Sequence, residues 1–145
     1  MTILQRLPAV LSAHSALAPF LLRLGLGSVF LAHAYAKWFL FTLPGTEKFF
    51  MAHGFPAWTA YLVFTLELLG GFSLLLGIYT QIAAALLIPV MFGALVPHYA
   101  NGWMFSNNGG GWEYVAFLIV ALAAQALLGG GAFALTSTPS AGTGQ

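Results

Sequence analysis

The sequence predicts an all-α integral membrane protein, a four-helix bundle with antiparallel spans, and three observations carry that prediction. Of its 145 residues 60% are hydrophobic, against 4 Lys+Arg and 3 Asp+Glu. A soluble domain carries about 25% charged residues, whereas 5% of this chain is charged, too little to coat a water-soluble fold. The apolar residues gather into four long stretches, each near the ~20 residues that cross a bilayer. Lipid is therefore the solvent, and residues 1–145 read as one transmembrane domain.

The first span is expected over about Leu17 to Leu40, opened by Pro19. Leu43-Pro44-Gly45-Thr46 reads as a turn, after which Thr46 can cap a short interfacial helix from Glu47 to His53, ended by Gly54 and Pro56. The second span runs from Trp58 to Tyr79 and the third from Thr80 to Tyr99, with a kink expected at Pro89. A Gly- and Asn-rich loop (Asn101 to Gly111) leads into the fourth, Trp112 to Phe133, stopped near Gly129-Gly130-Gly131. The tail 136–145 is expected to be disordered. A cleaved leader is not expected, because residues 1–15 lack a clean apolar stretch and contain Pro8 and His14.

Four antiparallel spans place both termini at one end of the bundle. The opposite end, holding the two longer loops, collects Trp38, Trp58, Trp103 and Trp112, all four tryptophans of the chain. A belt alone decorates both interfaces, so this end is expected to be a cap or pocket. Charge does not orient the protein, with Arg6 at one end and Lys37 and Lys48 at the other.

Some functions are excluded at once. Net charge +1 without a basic run leaves no footprint for nucleic acid. The absence of cysteine excludes disulfides, thiolate metal sites, iron–sulfur clusters and thiol redox chemistry by this chain. No His or Glu spacing suggests a metal, and the glycine runs lack the Lys-Ser/Thr of a phosphate loop.

Ionisable groups inside spans are costly and mark function by default. Here they are Arg23, His33 and Lys37 in the first span, Glu67 in the second, His98 ending the third and Glu113 opening the fourth. At 100° per residue Arg23, His33 and Lys37 share one helix stripe, with Gly27 beside it for close helix approach. Each also has a plain reading. Glu67 can pair with Arg23 or Lys37 as a structural ion pair, Lys37 can snorkel to headgroups, Glu113 suits a helix N-terminus, and His98 can bond a loop carbonyl. His14 and His53 read as surface histidines. Collectively, a cavity is expected among Lys37, Glu67, His98, Trp103 and Glu113.

The ordered set Arg23–Gly27–Lys37, Glu67–Gly70–Gly71, His98 and Glu113 resembles the DoxX family, over about Ala18 to Leu135. That resemblance implies a four-helix bundle in the bacterial inner membrane with cytoplasmic termini. It also implies a redox setting, since the family name comes from a terminal quinol oxidase complex and a related branch is thiosulfate:quinone oxidoreductase. The missing cysteines set a persulfide route aside for this chain.

Three functions compete. In the first, the protein is a quinone-linked redox component with Glu67, His98 and Glu113 as catalytic proton-exchanging groups. Arg23, His33, Lys37 and Trp103 then bind the cofactor, and a second redox protein or a further copy of the chain is the partner within the bilayer. A haem held by His33 and His98 is the cofactor alternative. The second function is a non-catalytic membrane scaffold, and the third a small transporter or proton path through Glu67, which lacks an inverted repeat to support it.

Overall fold

The computed structural model describes residues 15–136, and among them every regular element is a helix. Helix α1 spans Leu17–Tyr35 and runs on as a π-helical segment, Ala36–Leu40, so the first span is continuous to Leu40. Helix α2 covers Leu43–Ala52, α3 Thr59–Leu76, α4 Thr80–Tyr99 and α5 Glu113–Leu128. The segments Leu17–Leu40, Thr59–Leu76 and Thr80–Tyr99 are each long and apolar enough to cross a membrane. This is a multi-pass membrane protein. Helix α5, at 16 residues, is shorter and packs beside them.

Local chemistry accounts for where the elements begin and end. The short helix starts before Glu47, because Pro44 lacks an N–H that a first turn does not need and has φ already set for a helix. Its cap is Thr42, whose Oγ1 accepts from the Gly45 amide at 3.2 Å. Thr46, the expected cap, is instead buried inside α2 and donates to the Thr42 carbonyl at 2.9 Å. Gly77, at φ 71°, ends α3 in the left-handed conformation. Helix α4 continues through both Pro89 and Pro97.

The fourth span stops at Leu128, five residues short of the expected Phe133, because Gly129 (φ 76°) turns the chain. Residues 129–136 then fold back under the bundle. The Ala132 amide donates to Ala16 at 2.8 Å, Leu135 to Leu76 at 3.2 Å and Thr136 to Gly77 at 3.1 Å. Thr136, placed in the tail by sequence, is thus tied in, its Oγ1 also accepting from the Tyr79 amide at 2.9 Å. The rest of the tail, Arg6 and His14 lie outside the described residues.

Helices α1, α3, α4 and α5 pack in a closed ring, each on its neighbours. Glycine sets the α1–α3 distance: a Cβ on Gly27 would fall 2.9 Å from the Gly71 carbonyl oxygen, and one on Gly71 3.1 Å from the Leu31 amide. Small residues that let backbones meet are the usual means of joining membrane helices. Gly71→Val should therefore cost about 1–3 kcal/mol through overpacking, read as a lower unfolding midpoint in detergent. Gly25→Ala, with no atom within 4 Å of its new Cβ, should leave that midpoint unchanged.

Each helix of the ring gives at least one fully buried side chain to the core. Phe30 of α1, Leu74 of α3, Leu87 of α4 and Leu122 of α5 are all 0% exposed and belong to one apolar cluster. The two ends of the bundle are unlike: one carries the Asn101–Trp112 loop, the other the returning residues 129–136.

Candidate functional site

The half toward the Asn101–Trp112 loop contains a cavity of about 880 Å³. Its walls are His33 and Lys37 of α1, Phe49 and Phe50 of α2, Leu66 and Glu67 of α3, Gly93, Ala94 and His98 of α4, and Tyr114, Val115 and Leu118 of α5. Phe105 and Gly110 close it from the loop. Apolar and aromatic groups dominate, with few polar atoms among them.

The principal polar feature is an ion pair. Lys37 Nζ donates to Glu67 Oε1 at 2.8 Å and to Oε2 at 2.7 Å. The Glu67 side chain is 2% exposed and that of Lys37 15%. An ammonium has three protons; two serve Glu67, and the third has no protein partner among the described residues. Lys37 lies in the π-helical turn, a wide turn often found at functional positions.

His98 Nδ1 is 3.0 Å from the Gly110 carbonyl. A carbonyl only accepts, so Nδ1 carries a proton, and Nε2 has no protein partner among the described residues. Two further imidazoles, His33 and His53, are on the wall, and His33 has no hydrogen-bond partner among the described residues.

Three expected site residues are placed elsewhere. Arg23 lies in the opposite half of the bundle and does not pair with Glu67. Its Nε donates to Gly130 at 2.9 Å, Nη1 to Leu74 at 3.0 Å and to Leu75 at 2.5 Å, and Nη2 to Ala132 at 2.9 Å, all backbone carbonyls. Two of these acceptors are in the last turn of α3, where carbonyls run short of helical donors: Leu74 has the Gly77 amide at 3.3 Å, and Leu75 has Arg23. Arg23 is therefore a staple between α1, α3 and the returning chain.

Glu113 and Trp103 do not line the main cavity. They border a neighbouring hollow that shares His33, Phe105 and Tyr114 with it. Glu113 Oε1 accepts from the Phe105 amide at 2.7 Å, which fastens the loop. Trp103 packs edge-on against Trp112 at 4.5 Å, and Trp38, Trp58 and Trp103 are each more than half exposed. These three face outward and Trp112 is half-buried between Tyr99 and Trp103, while phenylalanines and Tyr114 form the aromatic wall instead.

Sequence reasoning missed the contribution of α2. His53 lines the cavity, its Nδ1 2.8 Å from the Phe49 carbonyl one turn earlier and its ring on Phe49 at 4.3 Å. The adjacent Phe49 and Phe50 with His53 one turn on were the available signal. It also missed Gly93: Pro97 has no N–H, so the Gly93 carbonyl lacks its i+4 donor, and a Cβ on Gly93 would meet only Phe55 Cζ, at 3.9 Å. Among the described residues no three His, Cys, Asp or Glu side chains cluster as metal ligands.

Comparison with known proteins adds a family. The DoxX family model matches residues 18–100, from the start of α1 to the end of α4. A protein of Bacillus subtilis (strain 168) bearing the name "Putative oxidoreductase CatD" is 33% identical over 76 residues, 52% of this chain and 55% of that protein. The chain thus spans about half the length of this curated relative. No solved structure matches the chain.

Proposed function

The chain belongs to the DoxX family, and on that premise we propose that it is the quinone-binding membrane component of an oxidoreductase system. The cavity is the ligand site and the Lys37–Glu67 pair its polar anchor. One observation carries this reading: a cavity of about 880 Å³ with apolar walls and a buried ion pair among them. Ligand sites usually enclose about 300–1,000 Å³ and set a few polar groups in an apolar wall. The similarity to a protein named an oxidoreductase supports the reaction class. The inner membrane, cytoplasmic termini and a partner redox protein as electron source complete the proposal.

A quinone, when bound, supplies two-electron, two-proton carrier chemistry. The third Lys37 proton is placed to donate to a ligand carbonyl oxygen, and Glu67 holds the ammonium in position for it. His98 Nε2 is an acceptor for a hydroxyl proton, its ring fixed by Gly110. Phe49, Phe50, Phe105 and Tyr114 flank a flat ring and keep bulk water from it. The donor set suits haem less well, since two propionates call for cations and the one ammonium lining the cavity is already paired.

A second reading, a non-catalytic scaffold, draws support from His98 and Glu113, both of which bond loop backbone. Under it, His98→Ala and Glu113→Gln keep complex assembly and change no redox activity.

Quinone content decides between the two. Wild-type protein purified in mild detergent should yield close to one quinone per chain on solvent extraction. Gly93→Leu, which fills the cavity without touching the ion pair, should fold normally and lose that quinone. Equal content in the two preparations, or none in either, speaks against the proposal.

A further inference from the structure

We propose that the hollow beside the cavity is a lipid site of its own, which takes the primary ammonium headgroup of a bilayer phospholipid against Glu113. The hollow encloses about 670 Å³ and is lined by His33, Trp103, Phe105, Glu113, Tyr114 and Phe117. Trp103, Glu113 and Phe117 line it and not the cavity. The inference therefore does not rest on which ligand the cavity holds.

Glu113 is the residue that points to a cation. Its Oε1 accepts from the Phe105 amide at 2.7 Å, and the first turn of α5 suits its negative charge. Those two features explain the loop contact and leave Oε2 without a protein partner among the described residues. The charge has no counterion there either. Lys37–Glu67 is the one salt bridge among the described residues, Arg23 is committed to backbone carbonyls, and no Lys or Arg lines the hollow. Nor does Glu113 belong to a cluster of metal ligands among those residues.

The remaining walls suit an organic cation. Trp103, Phe105, Tyr114 and Phe117 are aromatic, and ring faces attract ammonium groups. The chain holds two of these residues beside the carboxylate: the Glu113 amide donates to the Trp103 carbonyl at 3.0 Å, and the Phe105 amide donates to the Glu113 side chain. Trp103 packs on Trp112 at 4.5 Å and Phe105 on Tyr114 at 6.0 Å. The Tyr114 hydroxyl and the His33 ring line the same hollow without partners among the described residues, and both can donate to a lipid phosphate.

Phe117 favours a lipid over a soluble amine. It is four residues past Glu113, about 6 Å farther along α5, and its side chain is exposed. One hollow thus reaches from a carboxylate at the helix end to a surface that meets acyl chains.

Native mass spectrometry of the detergent-purified protein, titrated with phosphatidylethanolamine, tests the site. Phosphatidylcholine, which has no N–H, and phosphatidylglycerol, which has no cation, serve as controls with the same acyl chains. Phosphatidylethanolamine should bind at least about tenfold more tightly than phosphatidylglycerol, with phosphatidylcholine between them. Glu113→Gln keeps an oxygen for the Phe105 amide while removing the charge, so it should fold as wild type does and lose the preference. Trp103→Leu, which removes an exposed ring, should narrow the preference. Glycerophosphoethanolamine, the same headgroup without acyl chains, should not displace the lipid at equal concentration. Equal affinities for the three lipids in wild type, or an undiminished preference in folded Glu113→Gln or Trp103→Leu, overturn the site. Phosphatidylcholine bound as tightly as phosphatidylethanolamine overturns the primary ammonium, and displacement by glycerophosphoethanolamine overturns the lipid as its source.

Discussion

Lys37→Met lowers the stability of the protein by about 3–5 kcal/mol, the cost of leaving one member of a buried ion pair without its partner. The size follows from Glu67, which is 2% exposed and has the Lys37 ammonium as its hydrogen-bond donor among the described residues. Glu67→Gln should cost clearly less, because Lys37 is 15% exposed and can turn its charge toward water in the cavity. Combining Lys37→Met with Glu67→Leu should return stability near the wild-type value, since replacing both charges with apolar groups is often neutral or better. Unfolding in detergent, followed by circular dichroism against denaturant, orders the variants. A Lys37→Met midpoint equal to wild type removes the pair as a link between α1 and α3.

Arg23→Met has the other large effect, through a different mechanism. It strands the carbonyls of Leu75, Gly130 and Ala132, and leaves that of Leu74 only the Gly77 amide at 3.3 Å, at an end where the guanidinium is 1% exposed. Interhelical hydrogen bonds in membranes average about 0.6 kcal/mol, while orphaned buried acceptors cost about 1–3 kcal/mol each. The loss is therefore about 2 kcal/mol at the low end and several at the high end. It should appear as early protease cleavage within residues 129–136, which the guanidinium ties to the bundle. Arg23→Lys should recover little, because one ammonium cannot reach carbonyls spread around a planar fork. Ligand content per folded chain should be unchanged, since Arg23 is outside the cavity.

The spans were legible because hydropathy and turn chemistry are local. Thr80 and Tyr99 bound α4 as expected, and Gly77 and Gly129 end helices by their positive φ. The start of α2 was misplaced because Thr42 and Thr46 are both competent caps, and only Pro44 in the first turn separates them. Helical stripes put His33 and Lys37 on one face, and both line the cavity, yet the same arithmetic enrols Arg23. Periodicity gives direction around an axis, not which backbone carbonyls fold back to meet a side chain. The carbonyls of Gly130 and Ala132 come from more than a hundred residues away in the chain. Tryptophan count likewise points to the end of the bundle that holds the cavity, but not to the inward face, which depends on packing.

The central assignment is that the Lys37–Glu67 pair anchors a quinone in the cavity. The measurement that bears on it most directly is a titration of a short-chain quinone analogue, followed by quenching of intrinsic fluorescence, into purified wild type and the Lys37→Met, Glu67→Leu double variant. That variant should keep the fold and an apolar cavity while removing the polar anchor. The predicted result is an unfolding midpoint near wild type with affinity reduced at least about tenfold, or 1.4 kcal/mol. An unchanged dissociation constant in the folded double variant would contradict the assignment.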